Sequence, residues 1–142
     1  MAYIPIEAEW YLAELISEIR VEDDPANVLH RNSVLVKASS PEHAYEKAIE
    51  LGNLSEISYE NPDGKVVRIS FRGMGDLNVI YDKLEHGAEI MYLENVGVSE
   101  EEINRLIRSK ADLAVFRPVE QPPRPDYSSA EIVRQVEQII SE

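Results

Sequence analysis

Residues 9–21 alternate. Tyr11, Ala13, Leu15, Ser17, Ile19 and Val21 fall on one side, and Trp10, Leu12, Glu14, Ile16, Glu18 and Arg20 on the other. A two-residue period is that of a strand with one face in a core. The first set is the core face. The second set is apolar at one end and charged at the other, so Trp10, Leu12 and Ile16 call for a cover. Asp23, Asp24 and Pro25 mark a turn within residues 22–27, and residues 28–38 read as a returning strand.

Residues 40–52 switch to a helical period. Ser40 suits the N-cap, Pro41 the first helical position, and Gly52 a left-handed C-terminal close. Ala44, Tyr45, Ala48, Ile49 and Leu51 form an apolar stripe, opposite Glu42, His43, Glu46, Lys47 and Glu50. Such a helix needs a sheet to lie on.

Residues 54–59 and 65–72 flank Asn61-Pro62-Asp63-Gly64, which fits a type I turn closed by a glycine bulge. That turn sets Tyr59 opposite Val67, Ile57 opposite Ile69, and Arg68 opposite Ser58, diagonal to Glu56 and Glu60. Gly73 and Gly75 are expected to bend or bulge the strand before Leu77, Val79 and Tyr81, and a turn at His86 and Gly87 leads to a last strand over 89–93. The predicted fold class is α+β: an antiparallel sheet in the order β-β-α-β-β-β, one helix packed on a face, and a C-terminal helical extension.

Four regions are expected: an α+β core domain over 1–96, a helix and short extended segment over 97–117, a proline-rich linker over 118–127, and a C-terminal helix over 128–142. Ser99 and Glu102 form a capping box, residues 111–116 suit a short strand, and Pro118, Pro122, Pro123 and Pro125 stiffen the linker. Ser128 with Glu131 is expected to cap the last helix, whose Ile132, Val133, Val136, Ile139 and Ile140 make a strong stripe. About fourteen residues do not hold a helix unaided. The stripe must dock, and the outer strand face at Trp10, Leu12 and Ile16 is the candidate, in the same chain or in a symmetry mate.

Composition narrows the function. The chain has 142 residues, 44% of them hydrophobic, and a formal charge of −13. One compact domain with an appendage is expected. The charge argues against nucleic acid or an anionic membrane, and suits either simple solubility or a basic protein partner. There is no cysteine, which excludes thiolate metal sites and thiol nucleophiles. No apolar run reaches membrane-span length and no signal-peptide pattern opens the chain, so a cytoplasmic location is expected. His30, His43 and His86 lack metal-ligand spacing, and no phosphate-binding or nucleophile-elbow motif is present. Arg68 and Arg72 share a face with Ser70 and are weak anion candidates, with Glu56 and Glu60 the simpler neutralising partners.

Trp10-Tyr11, the run 34–38 into Ser40-Pro41-Glu42-His43-Ala44-Tyr45-Glu46-Lys47-Ala48, Phe71-Arg72-Gly73 and residues 84–90 together resemble an uncharacterised bacterial family of unknown function, DUF 4288. The resemblance covers about residues 10–93 and implies a small α+β domain; it brings no activity, cofactor or catalytic residue. No catalytic, cofactor-binding or metal residue is therefore assigned, and the enzyme question leans to no. The expected role is an acidic protein-binding or assembly module that self-associates as a homodimer. The alternative is a small-ligand sensor or enzyme with a pocket between the helix at 40–52 and the sheet.

Overall fold

The computed structural model describes residues 4, 7–119 and 123–141, so Pro122 of the expected linker lies outside the described residues. The chain groups into two compact units. One comprises Met1–Met91 with Arg124–Glu142, and the other Tyr92–Pro123.

In the first unit four antiparallel strands, β1 (Trp10–Val21), β2 (Val28–Lys37), β3 (Ile57–Glu60) and β4 (Val66–Val79), form one sheet in the order β2-β1-β4-β3. Helix α1 (Pro41–Leu54) packs on it, so the fold class is α+β. The core sits on the face that alternation predicted. Tyr11, Ala13 and Leu15 of β1 join Val36, Ala38, Ala44 and Ala48 in one buried cluster, and Ile19, Val21 and Val67 form a second further along the same face.

The β3–β4 hairpin has the expected register, with Tyr59 opposite Val67, Ile57 opposite Ile69 and Ser58 opposite Arg68. Its turn closes by Gly64 N–H donating to Asn61 O (2.9 Å) and Asn61 N–H to Lys65 O (2.9 Å), with Gly64 at φ 76°. Asn61 reinforces it: its Oδ1 accepts from the amides of Asp63 (3.0 Å) and Lys65 (2.9 Å). Further along, the β1–β4 register shifts twice, between Glu14 and Leu15 where Gly75 is left without a partner, and between Ile16 and Ser17 where Arg72 is. A side chain at Gly75 would collide with the Glu14 carboxylate (2.2 Å).

Several expectations change. Ser40 does cap α1, accepting from His43 N–H at 3.1 Å, but the helix runs through Gly52 to Leu54 and closes on Ser55. Gly52 is needed for space instead of φ: the Phe71 ring lies against it. The buried stripe is Ala44, Ala48 and Gly52, narrower than predicted, and Tyr45 and Leu51 are exposed. Small residues at every fourth position let the helix axis approach the sheet closely, which lifts the larger neighbours to the flanks.

The strand expected over 89–93 does not form. β1 holds one edge of β4, β3 holds the other only over 66–69, and the remainder of that edge is bent by register shifts that leave no regular ladder for a further strand.

The second unit holds α2 (Glu100–Leu106), with Ser99 Oγ accepting from Glu102 N–H at 3.2 Å as the capping box requires. The short strand expected over 111–116 is instead two 3₁₀ turns, Lys110–Asp112 and Ala114–Phe116. These local bonds satisfy the backbone without a strand partner. In the first unit α3 (Ala130–Ser141) is capped one residue later than expected, by Ser129 Oγ, while Ser128 hydrogen-bonds Asp126.

Candidate functional site

The root of α3 is tied to the sheet. Tyr127 packs against Ile19, Val21 and Val67 on the inner face, at the end that α1 leaves open, and its ring meets His30 edge-on with centroids 5.5 Å apart. Tyr59 Oη donates to the Tyr127 carbonyl, and Asn61 Nδ2 to the Asp126 carbonyl at 2.9 Å. Arg124 lies over the Tyr127 ring, 4.7 Å from its centroid, and donates to its hydroxyl at 2.8 Å. Burial, then Tyr127 and Asp126, push the Tyr59 phenol above its ordinary pKa. The Ser128 hydroxyl and amide hold the Asp126 carboxyl below the usual carboxylate range.

Beyond this anchor α3 has no buried residue. Ile132, Val136, Ile139 and Ile140 are 61, 48, 72 and 79% exposed, and Val133 is half-buried. The tail thus enters on the inner face, whereas Trp10, Leu12 and Ile16 lie on the outer one. There Leu12 is buried, flanked in register by Leu35 and Asn78, and Trp10 and Ile16 are half-buried. The structure does not bring the two candidate surfaces together within one chain. Sequence reading missed Asn61, Asp126 and Tyr127 as the anchor. The available signal was a lone aromatic between the prolines and the final capped helix.

Arg68 and Arg72 lie on the outer face, but their expected neutralisation differs. Arg72 Nη1 pairs with Glu18 Oε1 at 2.9 Å, whereas Glu56 Oε2 accepts from Phe71 N–H at 3.2 Å. Glu18 also accepts from Asn27 Nδ2 (2.6 Å) and pairs with Arg20 (3.4 Å). Its carboxyl is held low by Asn27 first and then by the arginines. Arg68 faces Arg20 in register and forms no ion pair among the described residues. A groove over this end is lined by Glu18, Arg20, Glu22, Arg68 and Ser70, so both charge signs meet there and neither arginine stands in an anion-selective cradle.

Among the described residues no group of three or more histidine, aspartate or glutamate side chains is placed to hold a metal ion, and no helix is long and apolar enough to cross a membrane. No curated protein and no solved structure matches the chain. A family model described as "Domain of unknown function (DUF4288)" matches residues 10–92, a span that runs from the first residue of β1 through the hairpin and past β4. The match takes in the whole sheet and α1, and the chain belongs to that family.

Proposed function

We propose that the chain is an acidic protein-binding and assembly module, self-associating as a homodimer and offering α3 to a protein partner. The observation that carries this reading is α3 itself. Its apolar stripe is left exposed on a helix of 12 residues, a length that does not hold its shape in water without a surface to lie on. An amphipathic helix of this kind binds by laying its stripe into an apolar groove. The anchor at Tyr59, Asn61 and Tyr127 fixes where the helix starts, which lowers the ordering cost of capture. The charge of −13 favours a basic protein over nucleic acid, and fits a cytoplasmic setting.

The alternative, a ligand pocket between α1 and the sheet, is disfavoured by close packing there. Ala44 and Ala48 are fully buried and the Phe71 ring fills the space beside Gly52.

A photo-crosslinker placed at Ile139 of the full chain tests the reading. Discrete adducts that vanish when Val136→Asp is added support it. A chain that yields no adduct above its own mass overturns it.

A further inference from the structure

We propose that β2 is the self-association edge: two copies join β2 to β2 across a two-fold axis at Asn32, making one continuous eight-stranded sheet. This deepens the homodimer part of the reading above and names its surface; it is independent of α3.

The two sides of the sheet are treated differently. On one side β3 is 4 residues long, with Glu56 before it and Glu60 at its end. Beyond Ile69, β4 has no strand partner there among the described residues but is bent by two register shifts. Short charged strands and bulges both discourage pairing. β2 is 10 residues long, contains no proline, and pairs with β1 without a register shift. Its outer face carries Leu29 and Leu35, 57 and 47% exposed. Two charges share that face, and both are drawn back over β1. Arg31 Nη2 reaches Glu14 Oε1 at 3.0 Å, and Lys37 Nζ sits 5.8 Å from the centre of the Trp10 ring. The residues able to guard the edge are turned away from it.

Backbone direction fits as well. Ala38 N–H donates to Glu9 O and Ile80 N–H to Trp10 O. With the register unbroken, even-numbered residues of β2 bond inward to β1, and the amides and carbonyls of Leu29, Arg31, Ser33 and Leu35 point outward. No hydrogen bond engages those outward groups among the described residues. The next outward carbonyl, that of Lys37, is taken by Lys47 Nζ at 2.6 Å, which ends the open stretch.

The two-fold axis must stand normal to the sheet to keep outer face with outer face. Centred on Asn32, it sets Leu29 opposite Leu35 of the second copy and Arg31 opposite Ser33, each pair exchanging two backbone hydrogen bonds. On the inner face Val28 then meets Val36, His30 meets Val34, and Asn32 meets its own copy. Centring on Ser33 would put Leu29 against Lys37 and require the occupied Lys37 carbonyl. Centring on Arg31 would oppose two guanidiniums. Of these three registers, only the Asn32 one sets an apolar pair on each face, Leu29 with Leu35 outside and Val28 with Val36 inside.

Light scattering and sedimentation of the full chain at micromolar concentration test this. The wild-type chain is expected at twice its own mass. Leu29→Lys and Leu35→Glu, which change exposed side chains, each act twice in the dimer and should weaken it about tenfold or more. The doubly substituted chain sets Lys against Glu across the axis and should recover dimer. Ser33→Pro removes only an outward amide and should also give monomer; where it unfolds the chain, the leucine variants decide. A monomeric wild type, a dimer indifferent to the leucine substitutions, or failure of the double variant to recover overturns the proposal. Val136→Asp is expected to leave the dimer intact. Dissociation by that change alone would move self-association to α3 and likewise overturn the β2 assignment, without touching the role of α3.

Discussion

A methyl group on Gly52 would lie 2.4 Å from Cζ of Phe71, closer than any real contact allows. The absent side chain at the end of α1 and the ring from β4 are a matched pair. Ordinarily Gly→Ala inside a helix stabilises by about 0.5–1 kcal/mol. Overpacking costs about 1–3 kcal/mol, so here the clash wins. Gly52→Ala is expected to destabilise by about 1–2 kcal/mol in denaturant unfolding. In a Phe71→Ala background the sign should reverse, and a cycle with no coupling would contradict the pairing.

Asn61 is buried and serves two masters, the hairpin turn through Oδ1 and the tail through Nδ2. Asn61→Asp keeps the acceptor and loses the donor, leaving a carboxylate against the Asp126 carbonyl. The expected cost is about 1–3 kcal/mol. Hydrogen exchange should accelerate over 124–130 while the amides of α1 stay protected. Equal loss in both places would mean global unfolding and refute a local tether.

Asp126 links the tail to pH. Its folded pKa is depressed by the Ser128 hydroxyl and amide, so its stabilising contribution is present above the ordinary aspartate value of ~3.9 and is lost as pH falls through the lower folded value. Loosening of α3 at its root, followed by exchange at 128–132, is expected only below about pH 4. Ser128→Ala should shift that midpoint upward toward the ordinary value. An unmoved midpoint would remove the Ser128 hydroxyl as the cause and leave the amide.

Glu18 is the shared counter-charge of Arg20 and Arg72 on the outer face. Glu18→Gln should lower the melting temperature, and added salt should narrow the gap between variant and wild type, because the lost ion pairs run to the exposed Arg20 and Arg72 and are screened. A gap independent of salt would point to the Asn27 hydrogen bond as the whole effect.

Local rules carried much of this fold. The hairpin register could be read because Pro62 and Gly64 restrict the turn to one geometry, and geometry then dictates every pair up to Ile57 and Ile69. The first turn of α1 was equally legible from Ser40 and Pro41. The misreadings share a cause: they depend on residues far away in sequence. Gly52 looks like a helix stop until Phe71 is placed beside it. Residues 89–93 look like a strand until β1 is seen on one side of β4 and a bulged stretch, paired with β3 only over 66–69, on the other. The tail anchor was hidden for the same reason, since nothing near Tyr127 announces Tyr59. Glu18 was missed as a partner of Arg72 because the cross-hairpin glutamates were nearer in sequence.

Tyr59 and Tyr127 stand 68 positions apart and still meet. During synthesis, then, this end of the core stays incomplete until residue 127 has been made, and Ile19, Val21 and Val67 lack the Tyr127 ring through that interval. A product that stops short of Tyr127 would carry a greasy gap that the folded chain covers, a natural handle for chaperones and proteases.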